Sequence, residues 1–152
     1  MHNIVFIDTE VGVTDKRVHD IGALRLDGSI LHSGKVEDLI DFLQDTRFVC
    51  GHNLIHHDLK YLSPSLGSRA EGFHAVDTLY LSPLLFPKRP YHALLKDDKL
   101  QVEELNNPVN DCKKAKELFD DEVEAFYRLP EKLKRIFYYL LCSVPEFKSF
   151  FE

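Results

Sequence analysis

The chain has 152 residues, of which 44% are hydrophobic and 29% are charged, and its formal net charge at pH 7 is -6. We expect one globular domain over residues 1–152, without the broadly basic surface that binds nucleic acid nonspecifically. Three widely spaced cysteines indicate neither a disulfide framework nor a cysteine-based zinc site. Because no basic leader or membrane-spanning apolar run is evident, we expect a soluble cytoplasmic protein with no membrane partner.

The first informative stretch is an apolar run that ends in two carboxylates. Residues 4–7, Ile-Val-Phe-Ile, favour a buried central strand covered on both faces. Side chains two apart in a strand share a face, so Asp8 and Glu10 would project together from the strand's end, roughly 6.6 Å apart along the backbone. Hard oxygen ligands at this spacing suit Mg²⁺ or Mn²⁺. A solvated strand end is the alternative interpretation.

The following segments predict an α/β fold. Residues 21–26 indicate a second strand, and Asp27-Gly28 indicates a two-residue hairpin turn. We therefore expect residues 29–33 to return as a third, antiparallel strand. The apolar spacing over residues 36–43 predicts an amphipathic helix, and residues 48–50 predict a short strand parallel to the first.

The predicted fourth strand leads into a histidine-rich segment, Gly51-His52-Asn53-Leu54-Ile55-His56-His57-Asp58. Asn53 is a candidate helix N-cap, which would place Asp58 one turn into a helix at the carboxyl edge of the sheet. Ligand sites of α/β proteins lie at that edge. The spacing of His52 and His56 leaves a zinc site open, although surface or packing histidines explain it more simply.

The next stretches are loops and short helices. Residues 67–72 predict a polar loop, and a segment opening at Asp77 should end at Pro87. The basic turn at residues 88–90 suits either a phosphate backbone or solvent. Helical spacing over residues 130–152 predicts a C-terminal helical extension, either docked on the core or marking a domain cut from a larger protein.

A long helix begins with a clear start signal. Asn107 is a predicted N-cap and Pro108 the first helical residue. Asp111 then falls in the first turn, where the helix dipole favours the ionised carboxylate. An ionised carboxylate is the form that a metal ligand needs.

Four motifs, taken together and in order, resemble the DnaQ-like 3′-to-5′ exonucleases of the DEDD superfamily. The motifs are Phe6-Ile7-Asp8-Thr9-Glu10, then Gly51-His52-Asn53 with Asp58-Leu59 and Leu62, then Asp77-Thr78-Leu79, and Asp111-Cys112 with Leu118-Phe119. The match covers roughly residues 3–126, and four motifs in order are more specific than any one. The resemblance implies a ribonuclease H-like mixed sheet of about five strands, in which a three-strand antiparallel meander is extended by parallel strands and flanked by helices.

The same resemblance implies a catalytic set that holds two divalent ions, Mg²⁺ or Mn²⁺. Asp8 would bridge the ions, Glu10 and Asp111 would hold the ion that carries the attacking water, and Asp58 would support the second ion. The backbone from Thr9 to Val11 would border the terminal nucleotide.

Further binding residues follow from the same motifs. His52 and Asn53 are candidate substrate-binding residues. The expected partner is single-stranded or 3′-end nucleic acid, with DNA favoured over RNA, together with other domains such as a helicase or polymerase.

One departure from the family concerns the general base. In the branch with a histidine base, that residue lies five positions before the last aspartate, where this chain has Asn106. In the branch with a tyrosine base, the tyrosine lies four positions before it, where this chain has Asn107. Neither amide accepts a proton at neutral pH. His92, five before Asp97, offers another alignment, but Asp97 lacks the Leu-Phe helix that follows Asp111.

The sequence thus predicts a metal-dependent 3′-to-5′ exonuclease acting by a two-metal-ion mechanism, attenuated by the missing base. The alternative is a catalytically weak or inactive nuclease-like module that binds nucleic acid within a larger protein of DNA repair or replication.

Overall fold

The computed structural model describes residues 3–94 and 107–152. These residues form one mixed sheet with helices on both faces. The elements in chain order are β1 (Ile4–Val11), β2 (Val18–Arg25), β3 (Ile30–Ser33), α1 (Val36–Phe42), β4 (Phe48–Gly51), α2 (Asp58–Leu66), α3 (Ser68–Gly72), β5 (His74–Asp77), α4 (Thr78–Leu85), α5 (Pro108–Arg128), α6 (Glu131–Leu141) and α7 (Pro145–Lys148).

The five strands are ordered β3-β2-β1-β4-β5, so β1 lies at the centre of the sheet. Strands β1, β2 and β3 form an antiparallel meander. Strands β4 and β5 extend the sheet on the other side of β1 and run parallel to it. The predicted α/β fold with a ribonuclease H-like mixed sheet is confirmed.

Strand β1 supplies side chains to two hydrophobic cores, one on each face of the sheet. Ile4 and Phe6 pack with α4, α5 and the C-terminal segment, whereas Val5 and Ile7 pack with α1 and α2. All four are at most 3% exposed. This two-sided burial agrees with the prediction of a central strand, since no polar residue interrupts the run.

Strand β1 is longer than the sequence predicted. It continues to Val11 because β2 begins at Val18, and Glu10 pairs with Asp20 before the register shifts next to Val11. Asp8 and Glu10 therefore lie inside the strand and not beyond its end, which corrects the prediction. Strand pairing fixes both side chains on the α5 face of the sheet.

The turn between β2 and β3 also differs from the prediction. Gly28 has φ 89° and donates from its N–H to the Arg25 carbonyl oxygen at 3.1 Å, and Arg25 N–H donates to the Ser29 carbonyl oxygen at 2.9 Å. This is a three-residue loop, in which a turn at residues 26 and 27 is followed by a left-handed glycine. The predicted two-residue turn is wrong, although the antiparallel hairpin itself is present.

Asn53 does not cap α2. It has φ 63°, and residues 52–57 form a turn that ends where α2 begins, at Asp58. Its backbone N–H is held instead by the Asp77 carboxylate, which competes successfully with helix initiation at residue 53. Residues 68–72 form the short helix α3 where a loop was predicted, because Gly67 ends α2 at φ 56° and the chain turns into a new helix.

The start of α5 agrees with the prediction. Asn107 Oδ1 accepts a hydrogen bond from Val109 N–H at 3.0 Å, Pro108 is the first helical residue and Asp111 lies in the first turn. At the other end of the chain Phe150 is 8% exposed, and its ring lies 5.3 Å from that of Phe126. No helix in the described ranges is long and apolar enough to cross a membrane.

Candidate metal centre

Three carboxylates from two segments that are far apart in the sequence meet on one face of the sheet. Asp8 and Glu10 come from β1, and Asp111 comes from the first turn of α5. One oxygen of each can be chosen so that all three lie within 4.8 Å of one another. All three residues are partly buried. The structure therefore brings together three of the four acidic residues that the sequence predicted.

The convergence depends on how α5 begins. Gly22 pairs with Asp8 across β1 and β2, and the Pro108 backbone packs directly on Gly22. With no side chain between them, the first turn of α5 rests on the sheet beside β1. Capping by Asn107 then fixes which residues of that turn lie over the strand, and Asp111 is one of them.

The chemistry of this set fits a hard divalent cation. Three carboxylates at this separation repel each other, and an ion of the Mg²⁺ or Mn²⁺ type accepts such oxygen ligands while relieving the repulsion. The neighbouring Cys112 is fully buried and does not belong to the group of three. Burial raises the pKa of its thiol well above the usual value, and the negative charges of Asp8, Asp58 and Asp111 raise it further. The sulfur thus stays protonated.

Asp58 lies outside this group of three. It is 1% exposed at the start of α2, and its Oδ1 accepts hydrogen bonds from Thr9 N–H at 2.8 Å and from the Thr9 hydroxyl at 2.7 Å. The Thr9 side chain projects from β1 on the face of the sheet opposite the side chains of Asp8 and Glu10. Asp58 is therefore attached to the strand that carries the two carboxylates, but through the residue between them.

Asp77 organises the segment that leads to Asp58, a role that the sequence analysis missed. It is fully buried at the end of β5, where Oδ1 accepts from Asn53 N–H at 2.8 Å and Leu79 N–H at 3.0 Å. Its Oδ2 accepts from Ile55 N–H at 3.0 Å. Burial raises the pKa of this carboxyl group, and the three backbone donors oppose that rise. The signal in the sequence was Asp77-Thr78, which the sequence analysis used as the start of a segment and as part of one motif, without giving Asp77 a structural role.

The histidines that the structure describes do not form a zinc site. Among the described residues, the group of Asp8, Glu10 and Asp111 is the one set of three metal-ligating side chains close enough to hold an ion. His52 Nδ1 lies 2.9 Å from Thr78 Oγ1, and the His56 ring lies 5.8 Å from that of Tyr80. Burial lowers the pKa of His52 to about 4, so its imidazole is neutral at pH 7.

Of the three histidines between Gly51 and Asp58, His57 is the one within ion-pair distance of Asp58. Its Nδ1 lies 3.6 Å from Asp58 Oδ1, and interaction with that carboxylate raises the pKa of the imidazole, with the charge of Glu10 adding to the rise. Nothing in the local pattern distinguishes His57 from His52 or His56. Its position follows from the turn at residues 52–57, which the N-cap prediction replaced with a helix.

The other residues that the sequence singled out are the predicted substrate-binding residues and the candidates for the general base. Val11, His52 and Asn53 are partly buried near the carboxyl ends of β1 and β4. His92 Nδ1 lies 2.8 Å from Ser82 Oγ, and the Arg89 guanidinium in the basic turn lies 3.9 Å from the Phe86 ring centre. The predicted position of the missing general base, Asn106, lies outside the described residues, as does Asp97.

Comparisons with known proteins bear on the fold. No protein-family model matches the sequence, and no curated protein matches it. Two solved structures are similar, Brucella melitensis NrnC and Brucella melitensis NrnC bound to pGG. For each, the TM-score is 0.64, the sequence identity is 15%, and the alignment covers 97% of this chain and 83% of the other. The chain therefore shares the fold of NrnC.

Proposed function

We propose that this chain is a metal-dependent nuclease that removes nucleotides from the 3′ end of a nucleic acid strand. The observation that carries the proposal is the convergence of Asp8, Glu10 and Asp111, since oxygen ligands so arranged suit the ions that assist phosphodiester hydrolysis. The order of the four sequence motifs supports it independently. We further propose that residues 1–152 act as one nuclease domain.

Each acidic residue has a proposed part in binding. Glu10 and Asp111 would hold one ion, Asp8 would contribute to both ions, and Asp58 would support the second ion. Two divalent ions bound there would lower the pKa of a water molecule and stabilise the negative charge that develops on the phosphate. The backbone from Thr9 to Val11, at the end of a rigid central strand, borders the terminal nucleotide.

The proposed substrate is a short single-stranded oligonucleotide. The sequence motifs do not distinguish DNA from RNA, although we expect DNA, and one of the two similar structures is NrnC bound to pGG. Its binding to a protein of the same fold supports a short strand as the substrate of this chain. A ribose 2′-hydroxyl distinguishes the two sugars. Matched DNA and RNA strands therefore decide which is preferred.

A second candidate function is strand binding without useful turnover. The observation that favours it is the sequence at the expected general base, where Asn106 and Asn107 are amides that accept no proton at neutral pH. A positioned base typically contributes about 10²- to 10⁴-fold. We therefore propose slow hydrolysis, since all four carboxylates are present, with a pure binding module as the alternative.

The test is an assay of 5′-labelled DNA and RNA strands of one sequence in millimolar Mn²⁺. We expect stepwise shortening by the native protein, none by Asp8→Asn, and native shortening by the control Asp120→Asn. Asp120 lies on α5 like Asp111, but its side chain is 58% exposed and pairs with Lys116, a surface contact of small energetic value. Binding without shortening would favour the module. If the native protein neither binds nor shortens the strands, both proposed functions are wrong.

A further inference from the structure

We infer that Thr9 is a positioning residue for the second ion, because it holds one oxygen of Asp58 and leaves the other oxygen for the metal. This inference rests on the proposed function and deepens it. The resemblance to the exonucleases assigns the Thr9 backbone to the terminal nucleotide. The contacts of the side chain give Thr9 a different role.

The contacts between Thr9 and Asp58 are short and shielded from solvent. Thr9 is 4% exposed and Asp58 is 1% exposed. The backbone N–H and the hydroxyl of Thr9 both donate to Asp58 Oδ1, at 2.8 and 2.7 Å. His57 Nδ1 lies 3.6 Å from the same oxygen. Hydrogen bonds to a carboxylate are stronger than those between neutral groups, so Oδ1 is firmly held.

The other oxygen of Asp58 is in a different environment. Among the described residues, none donates a hydrogen bond to Asp58 Oδ2, whereas Oδ1 accepts two. A carboxylate fixed in this way offers an ion a single oxygen, so we expect Asp58 to bind through Oδ2 alone.

The alternation of side chains along β1 explains why the Thr9 hydroxyl can bind Asp58 on the other face of the sheet. Asp8 and Glu10 project towards α5, whereas Thr9 projects with Val5 and Ile7 towards α2, which Asp58 begins. The three consecutive residues of β1 thus serve both ion positions. Two of them supply carboxylates, and the one between them orients a carboxylate from the other face.

Replacing the threonine isolates this role. Thr9→Val keeps the branched shape and the backbone donor but removes the hydroxyl, whereas Thr9→Ser keeps the hydroxyl. Loss of a partner that orients a ligand typically weakens metal affinity about 10- to 100-fold. We expect Thr9→Val to lower the affinity for the second ion by about 10-fold and to leave the affinity for the first ion unchanged. Thr9→Ser should bind both ions with native affinity.

The experiment is a calorimetric titration of the metal-free full chain with Mn²⁺, and electron paramagnetic resonance reports whether two ions lie close together. A selective loss of the second ion in Thr9→Val, restored in Thr9→Ser, supports the inference. Equal weakening of both ions, unchanged affinities, or a single ion in the native protein would overturn it. If Thr9→Val does not fold, Asp58→Asn must lose the second ion alone, and loss of both ions overturns the inference. A native protein that binds no Mn²⁺ contradicts the proposed function itself.

Discussion

Gly22 lies directly opposite Asp8 in the antiparallel pairing of β1 with β2, and the Pro108 backbone crosses it at very short range. A Cβ atom at position 22 would lie 2.4 Å from the Pro108 carbonyl carbon and 2.5 Å from the Val109 nitrogen. Backbone atoms cannot move aside as the end of a flexible side chain can. The missing side chain therefore sets how closely α5, and with it Asp111, approaches β1.

Gly22→Ala should push the start of α5 away from the sheet. Overpacking of a tight contact typically costs about 1 to 3 kcal/mol of folding free energy, and the displaced Asp111 should weaken Mn²⁺ binding. Chemical denaturation and calorimetric titration measure the two effects. The matched control is Gly72→Ala, because a Cβ atom there meets no atom of a described residue within 4 Å. If Gly22→Ala is as stable as the native protein and binds Mn²⁺ equally well, this description of the α5 contact is wrong.

Divalent metal should raise the melting temperature of the protein. Three half-buried carboxylates repel one another, and an ion that binds only the folded state stabilises it by mass action, by about 2.7 kcal/mol at 100 times its Kd. Differential scanning fluorimetry with and without millimolar Mn²⁺ measures the rise. Asp111→Asn should lose most of it, while Asp120→Asn should keep it. A folded native protein with a melting temperature insensitive to Mn²⁺ would count against the site.

Glu122 is a buried carboxyl group that takes no part in the proposed chemistry. It is 0% exposed, and neither carboxyl oxygen has a hydrogen-bond partner among the residues that the structure describes. Burial raises the pKa of Glu122 to about 9, the charges of Asp77 and Asp121 act in the same direction, and Arg89 opposes them. The folded protein therefore holds a proton at neutral pH that the unfolded chain would release.

The free energy of unfolding should accordingly fall as pH rises. The contribution of Glu122 is fully present below its ordinary pKa of 4.5 and is lost as pH rises towards about 9. The upper bound is about 1.4 kcal/mol for each pH unit in that window. Glu122→Gln removes the titration, so its stability relative to the native protein should increase between pH 5 and pH 8. Urea denaturation measures this, with Glu117→Gln on the exposed part of α5 as the control. A constant difference across that range would refute the proposed linkage.

Asn106→His should increase the rate of strand hydrolysis. If residue 106 occupies the position of the family's general base, an imidazole there supplies the proton acceptor that the amide lacks. We expect kcat to rise with little change in KM, mainly above pH 6.5, where an unperturbed imidazole is neutral. Asn106→Gln keeps the amide and is the control. A native kcat already between roughly 1 and 10³ per second, unchanged by the histidine, would indicate another base or none.

The sequence predicted the parts of the fold that depend on local pattern. The apolar run before Asp8, the cap at Asn107 and the antiparallel hairpin are each encoded within a few neighbouring residues, and each is present. The pairing of Asp8 and Glu10 on one face followed from strand geometry alone. Their meeting with Asp111 was implied only by the order of the motifs.

Contacts between distant segments account for what the sequence analysis missed. Asp77 holds the backbone N–H groups of Asn53 and Ile55 and so replaces a predicted helix start with a turn. Nothing in the neighbourhood of Asn53 indicates that partner. The burial of Glu122 was likewise hidden, since it stands in a helix rich in exposed acidic residues. Tertiary contacts of this kind override local propensity.

The most direct test of the central claim, that Asp8, Glu10 and Asp111 bind a metal ion together, is anomalous diffraction from crystals soaked in millimolar Mn²⁺. We predict an anomalous difference peak within about 2.0 to 2.4 Å of a carboxylate oxygen of each of the three residues, the range of oxygen ligands to hard divalent ions. Crystals of Asp111→Asn should lose that peak or show it weakened. A native crystal with no peak at this cluster, or with Mn²⁺ bound only elsewhere, would contradict the account.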